Sequence, residues 1–178
     1  MMMIRSKLIS SDFLLLLFLG HSATSASTAS PCAALGNKLS RDSGDVLSTI
    51  QDTFNRLCRA SDCTPEDGIE TLKPMAYDYI LFLSDVIGRN PPSIPAPTSG
   101  PYPQCQEFKD AKVDFENKLR VAKQAAADLN AQGCPKQTWM WGILRTMVYF
   151  LKTLNSQDPE HPSLCKYIST STTLKPDI

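Results

Sequence analysis

The chain is short of the groups from which most reactive sites are built. Its 178 residues include two histidines, His21 and His161, so paired imidazole ligands or a histidine base have almost nothing to draw on. Neither sign of charge is in excess: 18 Lys and Arg stand against 18 Asp and Glu, and the sequence pI is about 6.7. Phosphate recognition needs clustered excess cation, so no nucleic-acid partner is expected. No nucleophile elbow, phosphate loop or dinucleotide fingerprint occurs, and no Asn-x-Ser/Thr sequon marks a glycan. Asp110, Asp114 and Glu116 are interleaved with Lys109, Lys112, Lys118, Arg120 and Lys123 and read as one solvated helix face, not as an acid/base pair in a cleft. No catalytic residue, metal ligand or cofactor is therefore expected.

Long apolar runs are missing too. The most apolar stretch, Phe13 to Leu19, falls far short of the roughly 20 residues that cross a bilayer. Arg5 and Lys7 precede it, and small polar residues follow from His21 to Ser30, the pattern of a secretory signal peptide over 1–26 with cleavage after Ala26. Removing it takes Arg5, Lys7 and Asp12, which leaves 16 basic against 17 acidic residues. The expectation is a secreted, extracellular domain over 27–178 with no membrane insertion.

Secretion sets the meaning of the cysteines. Cys32, Cys58, Cys63, Cys105, Cys134 and Cys165 all follow the signal, an even number bound for an oxidising compartment, so disulfides are the default. Spacing alone does not choose among the fifteen possible pairings of six cysteines.

Helical periodicity accounts for most of the remainder. Leu35, Leu39, Val46, Leu47, Ile50, Phe54 and Leu57 form one apolar stripe and predict a helix over about 33–58, with Gly44 a soft spot. Ile69, Leu72, Met75, Tyr79, Ile80, Phe82, Leu83, Val86 and Ile87 predict a second over 69–88, with Pro74 at its first turn or a kink and Gly88 as its C-cap. Asn90 to Pro103 holds six prolines and reads as an extended connector. Phe108, Phe115, Leu119, Ala122, Ala126 and Leu129 predict a third helix over 104–132, and a fourth follows over 136–155. The tail, 156–178, is rich in Ser, Thr and Pro and is expected to be irregular. No period-2 pattern competes, so the fold expected is an all-α, disulfide-bearing four-helix bundle in one domain.

The fourth segment is unlike the others. Met140, Ile143, Leu144, Met147, Phe150, Leu151 and Leu154 complete a core stripe, which leaves Trp141, Arg145, Val148, Tyr149 and Lys152 on a second stripe. A chain of about 150 residues is too small for a central helix that is apolar on all sides. The second stripe is therefore expected to meet either a protein partner or the chain's own connector and tail. Trp, Tyr and Arg dominate interface hot spots, which favours the partner. Trp139 and Trp141, two apart, cannot share a face, so at least one lies outside the core.

Several strings resemble a known family. Cys58-x4-Cys63-Thr-Pro-Glu-Asp-Gly-Ile69, Tyr79-Ile-Leu-Phe-Leu-Ser-Asp-Val-Ile-Gly88 and Ile143-Leu-Arg-Thr-Met-Val-Tyr-Phe150 are similar to the interleukin-6/interleukin-12 group of helical cytokines, most of all to alpha subunits of the interleukin-23 kind. The resemblance covers about 60 residues in patches. It implies an up-up-down-down long-chain bundle, no enzymatic activity, and a heterodimer with a receptor-like beta subunit that together engages a cell-surface cytokine receptor. It places an interchain disulfide at Cys58 or, second, at Cys63, and leaves Cys32, Cys105, Cys134 and Cys165 as candidates for other disulfides. It docks the final helix on the beta subunit and puts Trp139 at the receptor contact. The arginine with which the family's final helix docks has no counterpart here; Lys152 or Ser156 stands nearby. The up-down order also conflicts with Gly133-Cys134-Pro135, which reads as a tight turn; the expectation is that the third helix unravels early, around Lys123–Gln132, to release a crossover. Two other readings stand beside this one: a single-chain interleukin-6-type cytokine, and a secreted helical carrier of small hydrophobic ligands, whose first four cysteines are spaced much like Cys32, Cys58, Cys63 and Cys105.

Overall fold

A computed structural model describes residues 30–57, 59, 63–97 and 105–157. The expected signal segment, Cys58, Cys165 and all of the tail beyond Gln157 lie outside them. Four α-helices carry the described residues, with no strand among them: α1 (Pro31–Arg56), α2 (Pro65–Ile87), α3 (Gln106–Ala131) and α4 (Trp141–Asn155), the last preceded by a 3-10 turn at Thr138–Met140.

Each boundary has a local cause. The Ser30 hydroxyl accepts from the Ala33 amide at 3.3 Å and Pro31 opens α1 without needing its missing N–H. α2 begins earlier than the apolar stripe indicates. Thr64 accepts from the Asp67 amide at 3.1 Å, Pro65 takes the first position, and Glu66 and Asp67 lie against the positive helix end. Pro74 consequently falls inside α2, not at its first turn. Gly88 ends the helix at φ 77°, with the Gly88 amide donating to Asp85 O and the Arg89 amide to Ser84 O. Gly133, at φ 66°, closes α3 in the same way, the Cys134 amide donating to Leu129 O at 3.1 Å. The early unravelling expected over Lys123–Gln132 is thus corrected: α3 stays helical to Ala131 because Ala125, Ala126 and Leu129 are buried in the core.

Contacts between helix ends give the topology. Leu57 at the end of α1 meets Gly68 in the first turns of α2, so those two are antiparallel. Cys63 is bonded to Cys105, joining the start of α2 to the start of α3, which therefore run parallel. Cys32 is bonded to Cys134, joining the start of α1 to the end of α3. The Gln137 amide donates to Val86 O at 3.2 Å and fixes the approach to α4 at the end of α2. Phe54 and Phe150 meet edge to face with centroids 5.5 Å apart, placing the end of α4 near the end of α1. The order is up-down-down-up, in place of the up-up-down-down expected. The long crossover is the proline-rich connector between α2 and α3, while α3 and α4 are joined by a short turn.

The expectation of no central helix is also overturned, because α2 takes that place. It packs against α1, α3 and α4, and Tyr79, Leu72, Ile69 and Leu83 within it are fully buried. Tyr79 and Ser43 lock α1 to α2: the Ser43 hydroxyl donates to the Tyr79 oxygen at 2.7 Å, and the Tyr79 hydroxyl donates to Ser43 O at 3.0 Å. Burial raises the Tyr79 phenol well above its ordinary value. α4 packs chiefly on α2, burying Leu144, Met147, Leu151 and Leu154 along a single stripe.

Candidate functional site

A one-sided helix leaves its remaining positions to solvent. Trp141, Arg145, Val148, Tyr149 and Lys152 project from α4 away from the α2 contact. The structure brings all five together along one open groove of about 680 Å3, floored in part by Leu144. Trp141 is 40% exposed and Tyr149 57%, large values for aromatic side chains whose neighbours on the same helix are buried. Ile143 and Phe150, expected in the core, are half-buried at the edges of the packed stripe.

The opposite wall was not legible from the helix pattern. Arg89, Asn90 and Pro92, the first residues after the α2 cap, line the groove beside α4. The Arg89 guanidinium lies 4.6 Å from the centre of the Trp141 ring, a cation–π contact between residues far apart in sequence. The left-handed turn at Gly88 aims Arg89 there, and nothing local to Trp141 signals it. The described start of the connector therefore borders the second apolar face.

Trp139 stands apart from this groove. It sits on the 3-10 turn, 52% exposed, with its indole N–H donating to Gln137 Oε1 at 3.0 Å. Gln137 is itself held to α2 through Val86, so the Trp139 indole is positioned by the end of α2.

A second cleft, between α1 and α3, differs in kind. It is lined by Thr49, Asp52, Thr53, Arg56, Glu107, Asp110, Ala111 and Asp114. Arg56 pairs with Glu107 at 3.1 Å, and Lys118 donates to Asp114 at 2.7 Å and to Thr49 at 2.9 Å. The hydrogen bond from Lys118 holds the Asp114 carboxyl below its ordinary range.

Among the cysteines, Cys32, Cys105 and Cys134 take part in disulfides as expected, and Cys63, named as the second interchain position, is instead bonded within the chain to Cys105. The Cα separations are 5.5 Å for Cys32–Cys134 and 5.2 Å for Cys63–Cys105, both ordinary for disulfides. Two disulfides accord with an oxidising compartment. Among the described residues no helix is long and apolar enough to cross a membrane, and no group of three or more His, Cys, Asp or Glu could hold a metal ion. No family model matches the chain, and no curated protein or solved structure is significantly similar to it.

Proposed function

We propose that the protein is a secreted helical ligand of the cytokine kind that acts by binding protein partners, with the outer face of α4 as its docking surface. The observation that carries this reading is the convergence of Trp141, Arg145, Val148, Tyr149 and Lys152 on one open groove. Exposed aromatics beside arginine and lysine make a surface suited to a macromolecule. An open groove with two cationic ends suits a small hydrophobic cargo poorly, because a carrier encloses most of its ligand's surface. The up-down-down-up connectivity gives the cytokine resemblance no support of its own, so the reading rests on the α4 surface.

The partner in this proposal is a receptor-like beta subunit, and Trp139, on a separate surface, is the candidate contact for a cell-surface receptor. Cysteine parity bears on how the subunits join. Cys32–Cys134 and Cys63–Cys105 leave Cys58 and Cys165 as an even pair, which favours a bond between these two and a noncovalent partner. The test is co-expression of the full chain with receptor-like beta subunits, followed by size exclusion and a non-reducing gel. The expected outcome is a 1:1 complex that Tyr149→Ala together with Val148→Asp abolishes. A monodisperse monomer that binds none of them would contradict the proposal, and an interchain band that disappears in Cys58→Ser would restore the covalent heterodimer.

A further inference from the structure

Resting on that docking surface, we infer that the groove takes an acidic segment of its protein partner, with carboxylates clamped by Arg89, Arg145 and Lys152 and an apolar side chain laid across Trp141, Val148 and Tyr149. Charge is the first argument. From Leu129 to Gln157 the sequence contains no Asp or Glu, so α4 and both turns before it carry cations alone. None of Arg89, Arg145 and Lys152 has an ion-pair partner among the described residues. Several other cations are locally paired, Lys38 with Asp42, Arg56 with Glu107, Lys73 with Glu70 and Lys118 with Asp114, whereas no carboxylate among the described residues lines this groove. Three cations without an ion-pair partner among the described residues thus line one apolar groove whose described walls hold no acid.

Geometry supplies the second argument. Arg145 and Lys152 are seven residues apart on α4, about 10 Å along its axis at 1.5 Å per residue. Arg89 already lies over the Trp141 ring, which places its guanidinium at the groove wall. Arginine binds a carboxylate in a bidentate manner, and both partners are stronger when flanking apolar contacts exclude water. A second copy of this chain would bring the same cations against these, and like charges oppose that pairing.

The test presents a random peptide display library to the biotinylated full-length chain. The expected result is enrichment of peptides with at least two Asp or Glu residues around an aromatic or aliphatic anchor. Binding should weaken with salt and fall about tenfold or more on Arg145→Glu or Lys152→Glu, with the thermal melt unchanged. A peptide whose acids are replaced by lysine should bind the doubly reversed chain in preference to the natural one. Enrichment without acidic excess, or equal binding to the charge-reversed chain, would overturn the acidic chemistry; loss on Tyr149→Ala alone would then leave the docking surface standing. If neither change matters, both inferences fail. Tighter binding of a heparin fragment or of phosphatidylserine vesicles than of any peptide would also overturn it, as would a groove that binds peptide only after 158–178 is removed, or salt-sensitive self-association of the chain.

Discussion

The two sides of α2 are built by opposite rules. Toward α1 and α3 it is closed: Tyr79 exchanges hydrogen bonds with Ser43, two disulfides pin the helix ends, and ion pairs such as Arg56–Glu107 and Lys118–Asp114 tie down surface charges on these helices. Toward α4 it is closed on one face only. The outer face of α4 keeps Trp141, Tyr149, Arg145 and Lys152 in contact with solvent, and its charges form no ion pair among the described residues. The inward faces of all four helices supply the stability, and the outer face of α4 supplies a surface. Substitutions on the first side should change melting and leave binding alone, and those on the second should do the reverse.

The largest break in that comparison comes from the Cys32–Cys134 bridge, which spans 102 residues of sequence. Replacing both cysteines by serine should lower stability by about 2–5 kcal/mol, read by denaturant unfolding. Next is Gly68→Ala. A Cβ there would strike Leu57 and lie 2.9 Å from Phe108 Cζ, both in fully buried side chains, so the packing of Leu57 and of Phe108 on α3 against the start of α2 must give way. A loss of about 1–3 kcal/mol is expected, with a lower thermal midpoint. Tyr79→Phe keeps the ring and strips its hydroxyl, leaving the Ser43 groups without their partner; unfolding should show a loss of about 1–2 kcal/mol. Tyr149→Ala, by contrast, should change stability by less than about 0.5 kcal/mol while removing partner binding.

Acid sharpens the comparison by the smallest amount. The Asp114 carboxyl is depressed in the folded protein, so its contribution is present above the unfolded carboxylate pKa of about 3.9 and is lost as pH falls through the lower folded value. Asp114→Asn should slightly lower the thermal midpoint at pH 7 and leave it unchanged at a pH where both forms are protonated.

What could be read from the residues was what is local. Helical periodicity identified the four helices and their inward positions, since Leu39, Ile50, Tyr79, Phe115, Leu144 and Leu151 are all buried. Gly88 was readable as a left-handed cap. The start of α2 was encoded but lay outside the apolar stripe, in Thr64-Pro65-Glu66-Asp67, which announces a helix end by capping and charge. What was not readable depends on distant pairs. The choice of Cys105 by Cys63, the order up-down-down-up and the central place of α2 follow from which helix ends meet, and no spacing along the chain records that. The outer stripe of α4 was visible because a helix with too many apolar residues for one neighbour shows its excess locally. Arg89 and the connector wall were invisible because their contact with Trp141 exists only once α2 and α4 are packed.

The most direct test is oxidative footprinting of the full chain, alone and in complex with the beta subunit that the co-expression test identifies, with Trp141 and Tyr149 as the reporters. If the outer face of α4 is the docking surface, both should be readily oxidised in the free chain and protected in the complex, while Tyr79 stays unreactive in each. Protection of Trp141 and Tyr149 in the free chain, or their unchanged reactivity in the complex, would contradict the account.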